Sequence, residues 1–386
     1  MANNWTLGRT GLVYVGEESA YGTAPVLGST NAVRHQNINL PFNPRNKVAS
    51  PARYTDPSLR VRYTRRQTGS FDLTALLYPS GTLGTAPECA LLLKHGLGTE
   101  TIKTGSTTVS ASPAPTTTGC TVASAANLAI NNFIQITIAA GAYAGTYVRF
   151  LTGINSAALS WAPALPAAPA TSDTVKGCVT YSLATALSKS LDITHYADNQ
   201  NREQLGCVVD KIVLTLDAAG EPKIQITGPA QGYAASAQSK PAAFTTVGSD
   251  GSIPSGIMGG LQVNDVVLEF IKATFEITNG MALQDTAFGT SKPVTYYRKS
   301  RRQVAVSIDT MVSSQLDLYT AALATTQMAK FAQCGTAAGY IIGAYAPIVE
   351  WEVPDTPDAE ETNQFAFKGT ALSGSAGNGE LYLGFA

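Results

Sequence analysis

Charge is what this 386-residue chain has least of: Asp, Glu, Lys and Arg together make up 14% of it, against about 25% in ordinary soluble domains. A surface so poor in charge suits a protein whose surface is covered by copies of itself, although a neutral Thr/Ala/Ser/Gly surface gives the same composition. The two signs nearly cancel, 26 basic residues against 27 acidic, so no global field draws the chain to nucleic acid. No apolar run approaches the roughly 18 residues that cross a bilayer as a helix, and no membrane anchor is expected. Residues 1–10 lack a basic stretch followed by an apolar one, so no secretory leader is expected there. Five cysteines (Cys89, Cys120, Cys178, Cys207 and Cys334) are scattered and form no CxxC pair. That pattern fits buried thiols in a reducing cytoplasm. Cys120 and Cys178 bracket one segment, and a bond between them stays open.

Catalytic chemistry is equally scarce. His35, His95 and His195 lie far apart in sequence, and none has a partner at metal-ligand spacing. There is no GxSxG elbow, no Walker loop and no GxGxxG after a strand. His195 stands near Asp192 and Asp198, but the segment reads as a solvated loop. The expectation is a protein that is not an enzyme and needs no cofactor or metal.

What is present is β-sheet. Short β-branched runs, several of them alternating, fall at 33–40, 70–76, 133–138, 147–151, 208–216, 223–227, 266–277, 304–309, 348–353, 364–370 and 380–385. The turn chemistry of Asp217-Ala-Ala-Gly220 and Ser375-Ala-Gly-Asn-Gly379 predicts a hairpin at each. Helices are expected over 86–96, opened by Pro87, and over 314–333, with Gly335 as its C-cap.

An internal repeat organises these elements. YTRRQTGSFDLTALL around Arg65 and YRKSRRQVAVSIDTMV around Arg301 each place a basic cluster before an alternating strand that carries an aspartate, Asp72 or Asp309. A helix follows in each copy, then a later hairpin. Strand, helix and hairpin thus recur in one order, which predicts two tandem domains of one fold. The first covers 1–100 and 181–245, the second 261–386, with a Ser/Gly/Pro-rich linker at 246–260. Residues 101–180, rich in Thr, Ala, Pro and Ser, read as a small inserted all-β module whose ends return to one place.

Two charge features stand above this neutral background. Arg60, Arg62, Arg65 and Arg66 form one basic cluster, and Arg298, Lys299, Arg301 and Arg302 its repeat counterpart. Against them stands the acidic segment EWEVPDTPDAEE, with Glu350, Glu352, Asp355, Asp358, Glu360 and Glu361. Either these are solvated surface, or they set register between subunits. Nucleic-acid binding fits less well, because the clusters lack interleaved aromatics for stacking.

The order of motifs resembles the tail tube proteins of long, non-contractile-tailed bacteriophages. Glu18-Ser-Ala-Tyr-Gly-Thr23 is similar to their ExxYGT opening. Tyr78-Pro-Ser-Gly81 and Ala86-Pro-Glu88 follow, then Leu205-Gly-Cys-Val-Val209, the Gly220-Glu-Pro222 turn and the closing strands at 365–385. The resemblance implies a mainly β fold of two tandem β-sandwich or split-barrel domains, each flanked by a helix, with the inserted module on the outer face. It implies self-assembly into stacked rings around a DNA conduit. Two tube domains per chain favour a trimeric, pseudo-hexameric ring over a hexamer. Implied partners are further copies of the chain, a tape measure protein and tail terminator or tip proteins, with DNA passing through the lumen unbound. The expected location is the virion tail, assembled in the host cytoplasm. A tail-tip module that binds a receptor or glycan is the alternative, and only Trp161 in the insert hints at it.

Overall fold

The computed structural model describes residues 11–43, 47–49, 62–64, 66–187, 189–197, 200–233, 239–248, 253–311, 316–354, 364–374 and 377–386. The chain is mainly β, with two α-helices among these residues, Ala90–Leu97 and Leu316–Leu323. Its central feature is a seam between two strands of strict alternation. In Lys211–Asp217, Ile212, Leu214 and Leu216 point inward. In Lys272–Thr278, Ala273, Phe275 and Ile277 do the same. The two pair antiparallel along their full length, so every inward residue meets an inward partner, as a period of two requires.

From this seam one sheet extends both ways. On one side it runs through Lys223–Ala230 and Thr68–Leu76 to Asn37–Asn39; on the other through Gln303–Met311, Gln364–Ala371, Ile342–Trp351, Met328–Cys334 and Gly259–Val263 to Val266–Leu268. Leu73, Leu92 and Leu214 share a single apolar core with Phe275, Val306 and Phe367. The helix Ala90–Leu97 lies on this core through Leu92, Leu93 and Leu97. Gly96 is what lets it approach, since a Cβ there would stand 2.2 Å from Ile212 Cδ1.

The order of elements on the two sides matches. In the first half the strand Asn37–Asn39 precedes a hairpin of Lys47–Ala49 with Arg62–Thr64. Then come Thr68–Leu76, the helix Ala90–Leu97 and Gly98–Ile102. In the second half Lys272–Thr278 precedes a hairpin of Met281–Gln284 with Thr295–Arg298. Then come Gln303–Met311, the helix Leu316–Leu323 and Met328–Cys334. The strands flanking the hairpin pair antiparallel in both halves. So does the strand after each helix with its next long partner, Val179–Leu183 or Ile342–Trp351.

Residues 106–177 form a separate six-stranded sheet with its own core of Val122, Ile136, Leu151, Trp161 and Val175. At its two ends Ile102 lies opposite Val179, and the Lys103 N–H donates to the Cys178 carbonyl at 3.1 Å. The sheet is not independent of the rest, however. Phe133, Val148 and Phe150 pack on Phe331, Tyr345 and Tyr382, with the Phe150 and Tyr382 rings 4.4 Å apart.

Several expectations are corrected. The helix predicted over 314–333 ends at Leu323, and Thr325 takes a left-handed turn at φ 53°. Met328–Cys334 is a strand with partners on both edges, Gly259–Val263 and Ile342–Trp351; two ladders outweigh helical spacing. Gly335 sits in the turn after it, not at a helix end. The 217–220 hairpin forms, but 375–379 joins no paired strands. Gln364–Ala371 pairs with Gln303–Met311 and Ile342–Trp351, whereas Tyr382–Phe385 pairs with Val179–Leu183 and Ile342–Trp351. Segment 266–277 divides into Val266–Leu268 and Lys272–Thr278. His195 belongs to the strand Leu191–Ala197 and not to a loop. That strand and its neighbours Leu12–Glu17 and Gln200–Cys207 build a further sheet that the sequence patterns did not reveal. All five cysteines are buried and free, with Cys120 and Cys178 in different apolar clusters.

Candidate assembly interface

The Glu18-Ser-Ala-Tyr-Gly-Thr23 motif is a folding knot. Glu18, 1% exposed, accepts from the Gly22 N–H at 2.8 Å, the Gly206 N–H at 2.7 Å and the Ser190 hydroxyl. One carboxylate thereby ties the end of the first strand to two others. Burial raises its pKa against the pull of these donors. Gly22 (φ +73°) and Gly206 (φ +62°) supply the left-handed turns, and a Cβ on Gly206 would stand 2.9 Å from the Tyr21 ring. Tyr21 in turn lies 5.5 Å from Tyr296, on the hairpin of the second half. The motif thus positions an arm of one half upon the other.

The neighbouring acid behaves oppositely because it points to the other face. Glu17 meets Lys189, His95 and Lys94, and chiefly the Lys189 hydrogen bond holds its pKa down at about 2. On the buried face Asp192 and Glu203, both 0% exposed, hydrogen-bond carboxyl to carboxyl. Two carboxyls can do so only if one keeps its proton. Burial and the Glu203 charge push Asp192 up to about 8. Lys330, in the strand Met328–Cys334, is 0% exposed. It donates to the Thr274 and Ser307 carbonyls at 3.1 and 2.9 Å and lies over the Phe275 ring at 4.1 Å.

The charged clusters divide sharply. Arg60, Arg65, Asp355, Asp358, Glu360 and Glu361 lie outside the described residues, as does the side chain of Arg62. Arg66 is half-buried and donates to the Thr290 carbonyl at 3.0 Å. Arg302 is committed within the chain, its Nη2 2.9 Å from both Glu380 oxygens and its Nη1 2.8 Å from the Ala184 carbonyl. Burial and the Arg302 charge lower the pKa of half-buried Arg298. Lys299 and Arg301 are exposed and make no ion pair among the described residues. Glu350 and Glu352 are likewise exposed and flank buried Trp351, so they share one face. No ion pair joins the clusters within the chain among the described residues.

No group of three or more His, Cys, Asp or Glu poised for a metal occurs among the described residues. His195 stacks edge-on against His35 at 5.7 Å, and burial lowers the pKa of both. Trp161 is 3% exposed and donates its indole N–H to the Thr117 carbonyl at 3.0 Å. It offers no platform for a glycan.

No curated protein matches the chain. The sequence profile of the family described as phage tail tube protein matches residues 8–371, which spans the N-terminal motif, both halves of the sheet and the inserted module. Mainly β in architecture and matched over nearly its whole length, the chain belongs to the phage tail tube protein family, a structural component of the bacteriophage virion's tail.

Proposed function

We propose that the chain is a duplicated tube subunit that closes into rings, and that the rings stack into the conduit for DNA delivery. The observation that carries this is the seam of Lys211–Asp217 with Lys272–Thr278. It joins two units of matching element order edge to edge, as separate subunits would join in a ring. Asn37–Asn39 ends the sheet on one side, in the place that Lys272–Thr278 holds at the seam; the end of Ile342–Trp351 beyond Val349, where Met328–Cys334 stops pairing and Gln364–Ala371 alone continues, stands in the place of Lys211–Asp217. Pairing these between chains repeats the internal seam and removes open edges. Three chains then supply six units, a trimeric pseudo-hexameric ring.

Charge acts as a register device in this reading. Lys299 and Arg301 on one chain face Glu350 and Glu352 on another, and symmetry repeats each weak exposed contact around the ring. The inserted module lies on the outer face, a tape measure protein and terminator or tip proteins complete the tail, and assembly takes place in the host cytoplasm. The subunit performs no catalysis, and DNA passes the lumen without specific binding. Negative-stain microscopy of the purified chain tests this. Hollow tubes or stacked rings without any cofactor are expected; a chain that stays monomeric at high concentration across several salts contradicts the reading.

A further inference from the structure

The hairpin at 281–298 carries a ring that its own chain does not use. The far side of its loop is anchored: Arg66 donates to the Thr290 carbonyl, the Gln67 N–H to Ser291, and Gln231 Nε2 to Pro293. Between these anchors and the strand Met281–Gln284 stands Phe288, with a relative exposure of 105%. Gly289 follows in a left-handed turn at φ +79°. Asp285, three residues earlier, is also exposed. An aromatic ring held out from anchored backbone is a presented knob, and isolated full exposure of this kind is what an interface accounts for.

A matching hollow lies elsewhere on the molecule, where the inserted module meets the second half. It is a cavity of about 250 Å³ with Arg149 and Pro166 on one wall and Met258, Leu261, Val267 and Phe331 on the other. Apolar side chains continue to its mouth, with Val267 70% and Met258 47% exposed. Arg149 is 3% exposed. Its guanidinium donates to the Val148 and Ala164 carbonyls and to Gln333 Oε1, while the Nε–H finds no acceptor among the described residues. It has no ion pair among them either; Asp265 acts on it only through space, its Oδ1 already taken by the Ala164 N–H. The Phe331 and Tyr147 ring centroids lie 5.3 and 5.5 Å from its Cζ; with no ion pair and an unpaired Nε–H, this buried cation is suited to an anionic partner.

We propose that Phe288 of one chain seats in this cavity of a second chain, with Asp285 meeting Arg149. The inference rests on the chain polymerising. An apolar cavity of about 150 Å³ suffices for benzene, so a phenyl ring with a neighbouring carboxylate fits the larger space. Knob and hollow are different surfaces, so the contact is head-to-tail and propagates to a ring or filament instead of closing as a two-fold dimer.

The test uses the full-length chain. Ala287→Cys chains, which keep the Phe288 ring, carry a size tag and are mixed with untagged Val267→Cys chains and oxidised under assembly conditions; the five native thiols are buried. A tagged–untagged disulfide dimer, absent from either variant alone, is expected. Separately, Phe288→Ser should raise the critical concentration for assembly at least about tenfold with an unchanged melting temperature. Absence of the mixed dimer, or assembly of Phe288→Ser at the parental concentration, overturns the inference. If the parent forms tubes in that case, the tube reading survives alone; a parent that never assembles sinks both.

Discussion

Leu214 lies directly opposite Phe275 across the seam, each about fully buried and each belonging to a different half of the chain. The strands on either side of the seam share one continuous core through this pair and its neighbours. The halves are therefore expected to unfold together.

Phe275→Ala tests that coupling. Removing the ring from a packed core costs about 3–5 kcal/mol, and it also strips the apolar cover from the Lys330 ammonium. A single cooperative transition, shifted as a whole, is expected in calorimetry. Two resolved transitions, with only the later one moved, would show that the halves are independent.

At the N-terminal motif, Glu18→Ala leaves the Gly22 and Gly206 N–H groups and the Ser190 hydroxyl without their acceptor. The loss should be at least about 2 kcal/mol, read as a lowered denaturation midpoint. Glu18→Gln, which keeps one carbonyl acceptor, should lose less. Equal loss for both variants would mean that volume, and not hydrogen bonding, is what the site requires.

Asp192 makes the pH dependence specific. Its carboxyl is raised from 3.8 to about 8 in the folded chain. Between these values the folded state keeps a proton that the unfolded state has released. The contribution is therefore full below about 4 and is lost as pH rises to about 8. Asp192→Asn keeps a donor for Glu203 and has nothing to titrate. Its melting temperature should fall less than the parent's between pH 4 and 8, and parallel curves would contradict the shared proton.

Arg301 and its neighbour should part company under charge reversal. Arg301→Glu alters an exposed side chain and should leave folding intact while weakening assembly, more at low salt than at high. Arg302→Glu sets a carboxylate against Glu380 and should cost about 3–5 kcal/mol of stability. Circular dichroism melts and sedimentation separate the two effects. Unchanged assembly by Arg301→Glu at every salt would make this cluster plain solvated surface.

Strands such as Phe133–Ile138 and Gln303–Met311 were legible because alternation is a local property. The repeated motif before Thr68–Leu76 and before Gln303–Met311 was visible for the same reason; the duplication it suggests is part of the proposed function. Met328–Cys334 was not legible: its β-structure comes from two ladders supplied by segments distant in sequence. The sheet containing Leu191–Ala197 was hidden because buried Asp192 and Thr194 make it read as polar. Of the charged clusters, sequence marked their positions but not their commitments. Arg302 and Arg301 are adjacent, yet one is locked to Glu380 and the other is exposed.

The central claim, a duplicated subunit that builds a ring, is tested most directly by cryo-electron microscopy of the assembled protein. The account predicts a hollow tube of stacked rings, each with three chains and strict three-fold symmetry, in which six similar units alternate. A ring of six chains would contradict the duplicated arrangement, and particles that never progress beyond single chains would contradict the tube itself.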